Sequence, residues 1–323
     1  MSNASHTRTH PALSAEPRWI SGSAFLAVAA AYAAVYEIAR YISPSSQWNL
    51  MAGLRLAAIL LVPRRYWPAL IVGEWAPLIQ KCAINAGRFG MEWAILGGIP
   101  LMIVCMPLVM LARRRGPFPF RDGEIHLPSV LLVAAACALG SAVVDTAGLS
   151  AAIDASRGAS PAIYLRDSFY AYLLGDFCGM VPVVPALFAL KDVFNAGRSS
   201  AWRRVRNIPL TSALVALCLA GWIGIALVQE RLHLHGAELQ ALRLCAMLPV
   251  LALTLRFGWQ GGALAGVFAL AAVMSTAGES TDVSIIEAQV VMSIAMAGAL
   301  LIGMPIARRT RERHAGRVTA TAG

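Results

Sequence analysis

Three charged residues fall deep inside apolar runs: Arg55 in "WNLMAGLRLAAILL", Glu74 in the run after it, and Asp176 in "YLLGDFCGMVPVVPAL". A charge at mid-depth in a bilayer costs between about 2.5 and about 17 kcal/mol, so it faces a bundle interior, a partner or a water-filled hollow. On the orientation argued below, Glu37, Asp145 and Glu287 lie in the outer thirds of other runs, and Arg166, Arg243, Glu92 and Glu230 lie near outer ends. The inner halves of the runs are almost free of acids. This layering predicts a polar cavity open to the periplasm and closed below by apolar packing. Arg55 is its only base at mid-depth, and Glu74, Asp176 or Glu37 must neutralise it if the hollow is dry. Such a set suits a charged or polar small molecule, or protons. A salt bridge that only fixes helix packing is the plainer alternative, although a buried pair seldom adds stability over apolar replacements. The ligand-binding candidates are Arg55, Glu74, Asp176, Glu37, Asp145 and Glu287.

The elements that must position these residues are set by composition. Of 323 residues, 58% are hydrophobic and 14% charged, too few polar groups to cover a water-soluble surface. Mean hydropathy is +0.64. The expected fold is all-α, a polytopic transmembrane helical bundle. Ten apolar runs cover roughly 20–39, 48–62, 67–80, 92–111, 128–149, 167–190, 209–229, 240–255, 261–277 and 284–306. A spanning helix needs about 20 apolar residues. The second, third, eighth and ninth runs are short and could form hairpins that stop short of crossing, so the count is eight to ten spans. Residues 1–19 read as a disordered cytoplasmic tail, 20–306 as one transmembrane domain and 307–323 as a basic cytoplasmic tail.

Short basic loops stay on the cytoplasmic side. With the N-terminus inside, the inner segments carry 19 Lys and Arg and the outer ones 7. Both termini are therefore expected in the cytoplasm of a bacterial inner-membrane protein. Trp19, Trp67, Trp202 and Trp259 fall at inner ends and Trp48 and Trp93 at outer ends, as headgroup-level indoles should.

Other chemistries find no support. The formal charge of +10 is spread between apolar runs rather than gathered on one face with aromatics, which argues against nucleic acid. The six cysteines fall singly and read as small buried hydrophobes. His233 and His235 form an isolated HxH without further metal ligands nearby. No nucleophile elbow, HExxH, Walker loop or kinase signature occurs, so no catalytic residue, metal or cofactor is assigned. The loops are too short to fold as soluble domains.

Three motifs, in order, resemble the first-described type of the bacterial membrane-associated sensor domains called MASE. The first is "WNLMAGLRLAAILL" leading into "PRRYWPALIVGEW", with Trp67 and Pro68. The second is "YLLGDFCGMVPVVPAL", with Gly175, Gly179 and Pro185. The third is "LPVLALTLRFGWQGGALAG", with Arg256, Phe257 and Gly258. The resemblance covers about residues 20–306 and implies an input domain that usually precedes a histidine kinase, a diguanylate cyclase or a phosphodiesterase, often as a dimer. The chain departs from the pattern at Arg55, where the family usually has an uncharged residue. It also carries no kinase or cyclase domain after "ARRTRERHAGRVTATAG", so it reads as a free-standing sensor with a partner or as a piece of a longer protein; His314 there is a solvated tail residue.

The expected function is that of an inner-membrane sensory module, not an enzyme. It would bind a small polar or anionic ligand from the periplasm and signal to a cytoplasmic histidine kinase, cyclic-dinucleotide enzyme or other partner. A small-solute or proton-coupled transporter built on the same charges is the alternative.

Overall fold

The computed structural model describes residues 18–43, 48–121, 124–155, 164–195, 216, 219–224, 227–228, 237–275 and 283–322. They are almost entirely helical. In chain order the helices are α1 (Arg18–Ile42), α2 (Leu50–Leu61), α3 (Trp67–Phe89), α4 (Met91–Gly97), α5 (Met102–Arg115), α6 (Leu127–Ala155), α7 (Leu165–Asn195), α8 (Ala237–Cys245), α9 (Met247–Phe257), α10 (Trp259–Ser275) and α11 (Val283–Ala322). A two-residue hairpin, Phe120–Arg121 against Glu124–Ile125, joins α5 to α6. The sequence held no signal for it.

Local chemistry sets the breaks. Asn49 caps α2 by accepting from the Ala52 N–H at 3.3 Å. The helix stops at Val62 because Pro63 disfavours the α region for the residue before it. One 3₁₀ turn, Arg64–Tyr66, then leads into α3, where Pro68 sits in the first turn and has no N–H to waste. Gly90, at φ 88°, ends α3, and Gly258, at φ 71°, separates α9 from α10.

Several expected boundaries move. The third run was expected to end at 80, yet α3 continues to Phe89. Lys81 and Arg88 end the apolar run without ending the helix, because straight-chain charged residues are good helix formers. The fourth run is two helices, α4 and α5, parted at Gly98–Leu101 around Pro100, and the eighth is split at Ala246 into α8 and α9. The last helix runs forty residues and takes in the basic tail expected from 307. The seventh expected run, 209–229, lies mostly outside the described residues, as do residues 1–17 of the N-terminal tail.

Six segments are long and apolar enough to cross a bilayer: Gly22–Ile42, Met91–Arg115, Leu127–Ala155, Leu165–Asp192, Glu238–Phe257 and Gln289–Arg309. The expected eight to ten is thus not reached by length and composition among the described residues. Helix α2, at twelve residues, is about 18 Å long against a hydrocarbon core of about 30 Å. Helix α3 is long enough but carries Glu74, Lys81 and Arg88.

Helix α7 is the centre of the bundle. It packs on α2, α6, α10 and α11, and α1 packs on α3. Met180, Val184 and Phe188 of α7, and Leu56 and Ile59 of α2, are all essentially enclosed in the core. Outward, Leu26, Ile38, Ile84, Leu132, Leu248, Leu255 and Ile294 are each more than half exposed. Apolar area on that scale suits lipid rather than water. Of the cysteines, Cys82, Cys105, Cys137 and Cys178 are buried; Cys245 is exposed, against expectation. Cys218 lies outside the described residues.

Candidate functional site

Arg55, on the sixth position of α2, is 1% exposed and Glu74, on α3, is fully buried. The Arg55 Nε donates to Glu74 Oε1 at 2.7 Å. The other carboxylate oxygen, Oε2, accepts the backbone N–H of Met102 at 2.9 Å. Met102 is the first residue of α5, so its N–H has no partner within the helix and sits at the positive end of the helix dipole. Glu74 therefore joins three helices and stabilises the break between α4 and α5. The Arg55 Nη1 atom is buried and has no hydrogen-bond partner among the described residues.

A second polar junction holds the start of α2 against α7. The Asn49 N–H donates to Gly175 O at 3.0 Å, and Asn49 Nδ2 donates to Asp176 Oδ1 at 2.7 Å. Backbones touch directly below: a Cβ on Gly53 would strike the Gly179 carbonyl, and one on Gly179 would strike the Asn49 carbonyl. Small residues permit such close crossings in membranes. On the other side of α7, the Cys178 Sγ and Ser293 Oγ of α11 are 2.7 Å apart.

Between these junctions lies a cavity of about 810 Å³, within the usual span of about 300–1,000 Å³ for ligand sites. Its polar lining includes Glu37, Arg40, Asn49, Arg55, Lys81 and Asp145, and its walls include Tyr36, Trp93, Leu96 and Tyr172. Those residues come from the end of α1, the start of α2, the later part of α3, the start of α4, the end of α6 and the start of α7. The ends alternate in chain order, which places the cavity at one face of an up-and-down bundle. Exposure grades inward: Lys81 is exposed, Asp145 is half-buried and Arg55 lies at the floor. Glu37 pairs with Arg40 at 2.8 Å, and its Oε1 is buried without a partner among the described residues. Asp145 makes no hydrogen bond or ion pair among the described residues. The Lys81 ammonium stands 5.8 Å from the Trp93 ring centre.

Of the sequence candidates, Arg55, Glu37 and Asp145 line this cavity. Glu74 sits behind Arg55, and Asp176, 1% exposed, sits behind Asn49; neither lines it. Glu287 is exposed on α11 and is not among the lining residues. Lys81, Trp93, Tyr36 and Tyr172 were missed, because aromatic and basic residues near a span end read as interface anchors. Asn49 was missed as well.

The remaining motif residues sit at helix junctions. Trp67 starts α3 at the opposite end of α2, with Arg64 6.0 Å and Arg113 5.5 Å from its ring. Arg113 also reaches the Ile59 and Leu60 carbonyls at 3.5 Å, where cations favour a helix end. Pro68 opens α3, Gly175 and Gly179 meet Asn49, and Pro185 lies within α7. Arg256 and Phe257 close α9 before Gly258, where a Cβ would meet Ala307 and Gly303 of α11.

No curated protein and no solved structure matches the chain. One family model does, over residues 20–312: MASE1.

Proposed function

The chain belongs to the MASE1 family of membrane-associated sensor domains, and from that premise we propose that it is an inner-membrane sensory input module whose ligand enters the α1–α2–α3–α4–α6–α7 cavity from the periplasm. The observation that carries this reading is Arg55, which lines the cavity and whose buried Nη1 has no hydrogen-bond partner among the described residues. A buried donor without an acceptor costs about 1–3 kcal/mol, and more when charged. A small polar or anionic ligand that supplies the acceptor recovers that cost in the bound state.

Signal transfer follows the contacts. Ligand held at Arg55 bears on α2; Asn49 couples the start of α2 to Gly175 and Asp176 on α7; Cys178 on α7 meets Ser293 on α11; and α11 runs into the basic segment. Only a ligand with different affinity for two packings of these helices shifts their balance. The receiver is a cytoplasmic histidine kinase or cyclic-dinucleotide enzyme, in a homodimeric assembly. Both termini face the cytoplasm, and the short helices α2 and α10 add to the six long spans, within the eight to ten passes expected from the sequence, with α2 shortened where the cavity replaces bilayer.

A transporter is the second reading. It is favoured by the break between α4 and α5 at Glu74, since discontinuous helices with a free N-terminus are common at carrier sites. The deciding experiment places the purified chain in nanodiscs and in proteoliposomes with a panel of free amino acids and small carboxylates. Saturable binding that Arg55→Met weakens at least tenfold, without flux, supports the sensor. Flux supports the carrier. Saturable binding by no panel member defeats both.

A further inference from the structure

The cavity's charges are not of one sign. Glu37 and Arg40 form one ion pair and Arg55 and Glu74 another, so each pair cancels within itself. Lys81 and Asp145 then remain, one of each sign, and Asp145 has no ion-pair partner among the described residues. The lining as a whole is close to neutral. A strongly anionic group such as a phosphate finds no net positive field here, and an amine alone meets Arg55, Arg40 and Lys81.

The unfilled hydrogen-bond positions have the same duality. Among the described residues, Arg55 Nη1 is a buried donor without an acceptor, and Glu37 Oε1 is a buried acceptor without a donor. Both residues line the same cavity. A buried polar group left unpaired is costly, and one ligand bearing both an acceptor and a donor group relieves the two together. Tyr36, Trp93, Tyr172, Leu96 and Leu101 supply aromatic and aliphatic wall between the polar positions.

Resting on the binding role proposed above, we infer that the ligand is a zwitterion of amino-acid type with an apolar side chain. Its carboxylate accepts from Arg55 Nη1, its ammonium donates to Asp145 and Glu37 Oε1, and its side chain packs among the aromatic residues. Charge-assisted hydrogen bonds at both ends set the selectivity, since removing either charge leaves a buried protein group without a partner.

The test is titration calorimetry of the full chain in nanodiscs with three matched sets. These are the free apolar and aromatic L-amino acids, their N-acetyl derivatives, which lose the ammonium, and their carboxamides, which lose the carboxylate. The expected result is saturable binding by at least one free amino acid and loss of at least tenfold in affinity on either modification. Asp145→Asn is expected to reduce the preference for the free form over the N-acetyl form by at least fivefold. Arg55→Met is expected to reduce the preference over the carboxamide likewise. N-acetyl derivatives or simple carboxylates binding as tightly as the free amino acids, in an Arg55-dependent way, would overturn the zwitterion and leave the binding role standing. Binding by none of the three sets, with simple carboxylates bound, has the same meaning; binding by neither sinks both.

Discussion

Arg55 meets Glu74 through Nε, at 2.7 Å, while a second nitrogen, Nη1, is buried and unpaired among the described residues. The pair is therefore half structural and half available. Glu74 spends its other oxygen on the Met102 N–H, so the carboxylate is fully engaged by the protein while the guanidinium is not.

Glu74→Gln leaves a buried guanidinium without its counter-charge and is expected to destabilise the chain by about 3–5 kcal/mol. Arg55→Met combined with Glu74→Gln removes the charge, and the amide oxygen still accepts from Met102. The double variant should unfold within about 1.5 kcal/mol of the native chain while losing ligand binding. Thermal unfolding in detergent, followed by calorimetric titration, reads both. Equal destabilisation of single and double variants would show that the ion pair is not the cause.

Asp176 and Arg55 should separate by readout. Asp176→Asn preserves an oxygen for Asn49 and does not touch the cavity, so the dissociation constant is expected to change by less than about threefold. Arg55→Met removes one charge-assisted hydrogen bond, about 1.5–3 kcal/mol or roughly 10–150-fold in affinity. The reverse order in binding measurements would place the ligand at Asp176 instead.

The α2–α7 crossing has no room for a methyl group. Gly53→Ala and Gly179→Ala each press a Cβ on main chain and are expected to cost about 1–3 kcal/mol or more, as overpacking does. Gly298→Ala, on α11 with open space around it, is the control and should cost nothing. Denaturation midpoints that fall equally for all three would deny the close crossing.

Orientation is checked by cysteine accessibility in whole cells expressing a variant with the native cysteines removed. Lys81→Cys, at the exposed rim of the cavity, should react with a membrane-impermeant maleimide added outside, and Arg115→Cys, at the end of α5, should react only after permeabilisation. The opposite pattern would turn the molecule over.

The helical bundle was legible because long apolar runs have no other stable form in lipid. Helix ends were not, since α3 passes through Lys81 and Arg88 while α4 and α5 part inside an unbroken apolar run. Polarity marks where a membrane ends and only glycine, proline and caps mark where a helix does. Arg55, Glu37 and Asp145 were legible as candidates because charge within an apolar run demands a reason; that all three line one cavity was not. The contact between Asn49 and Asp176 joins positions 127 apart, and no local pattern could pair them. The separate duties of Glu74 and Asp176, one behind Arg55 and one behind Asn49, likewise appear only once the helices are assembled.

Helix α11 runs unbroken for forty residues, about 60 Å at 1.5 Å per residue, roughly double the hydrocarbon thickness. It is clamped in its first half, by Ser293 against α7 and by Gly303 against the α9–α10 turn, and the interior Pro305 just past the clamp leaves the free half a rod with a natural pivot at its base. Tilting such a rod by about 5° swings a tip about 30 Å past the clamp through roughly 2.6 Å, given that same rise. A repacking too slight to alter the cavity's outline would thus become, at the far end, a displacement comparable to a side-chain contact.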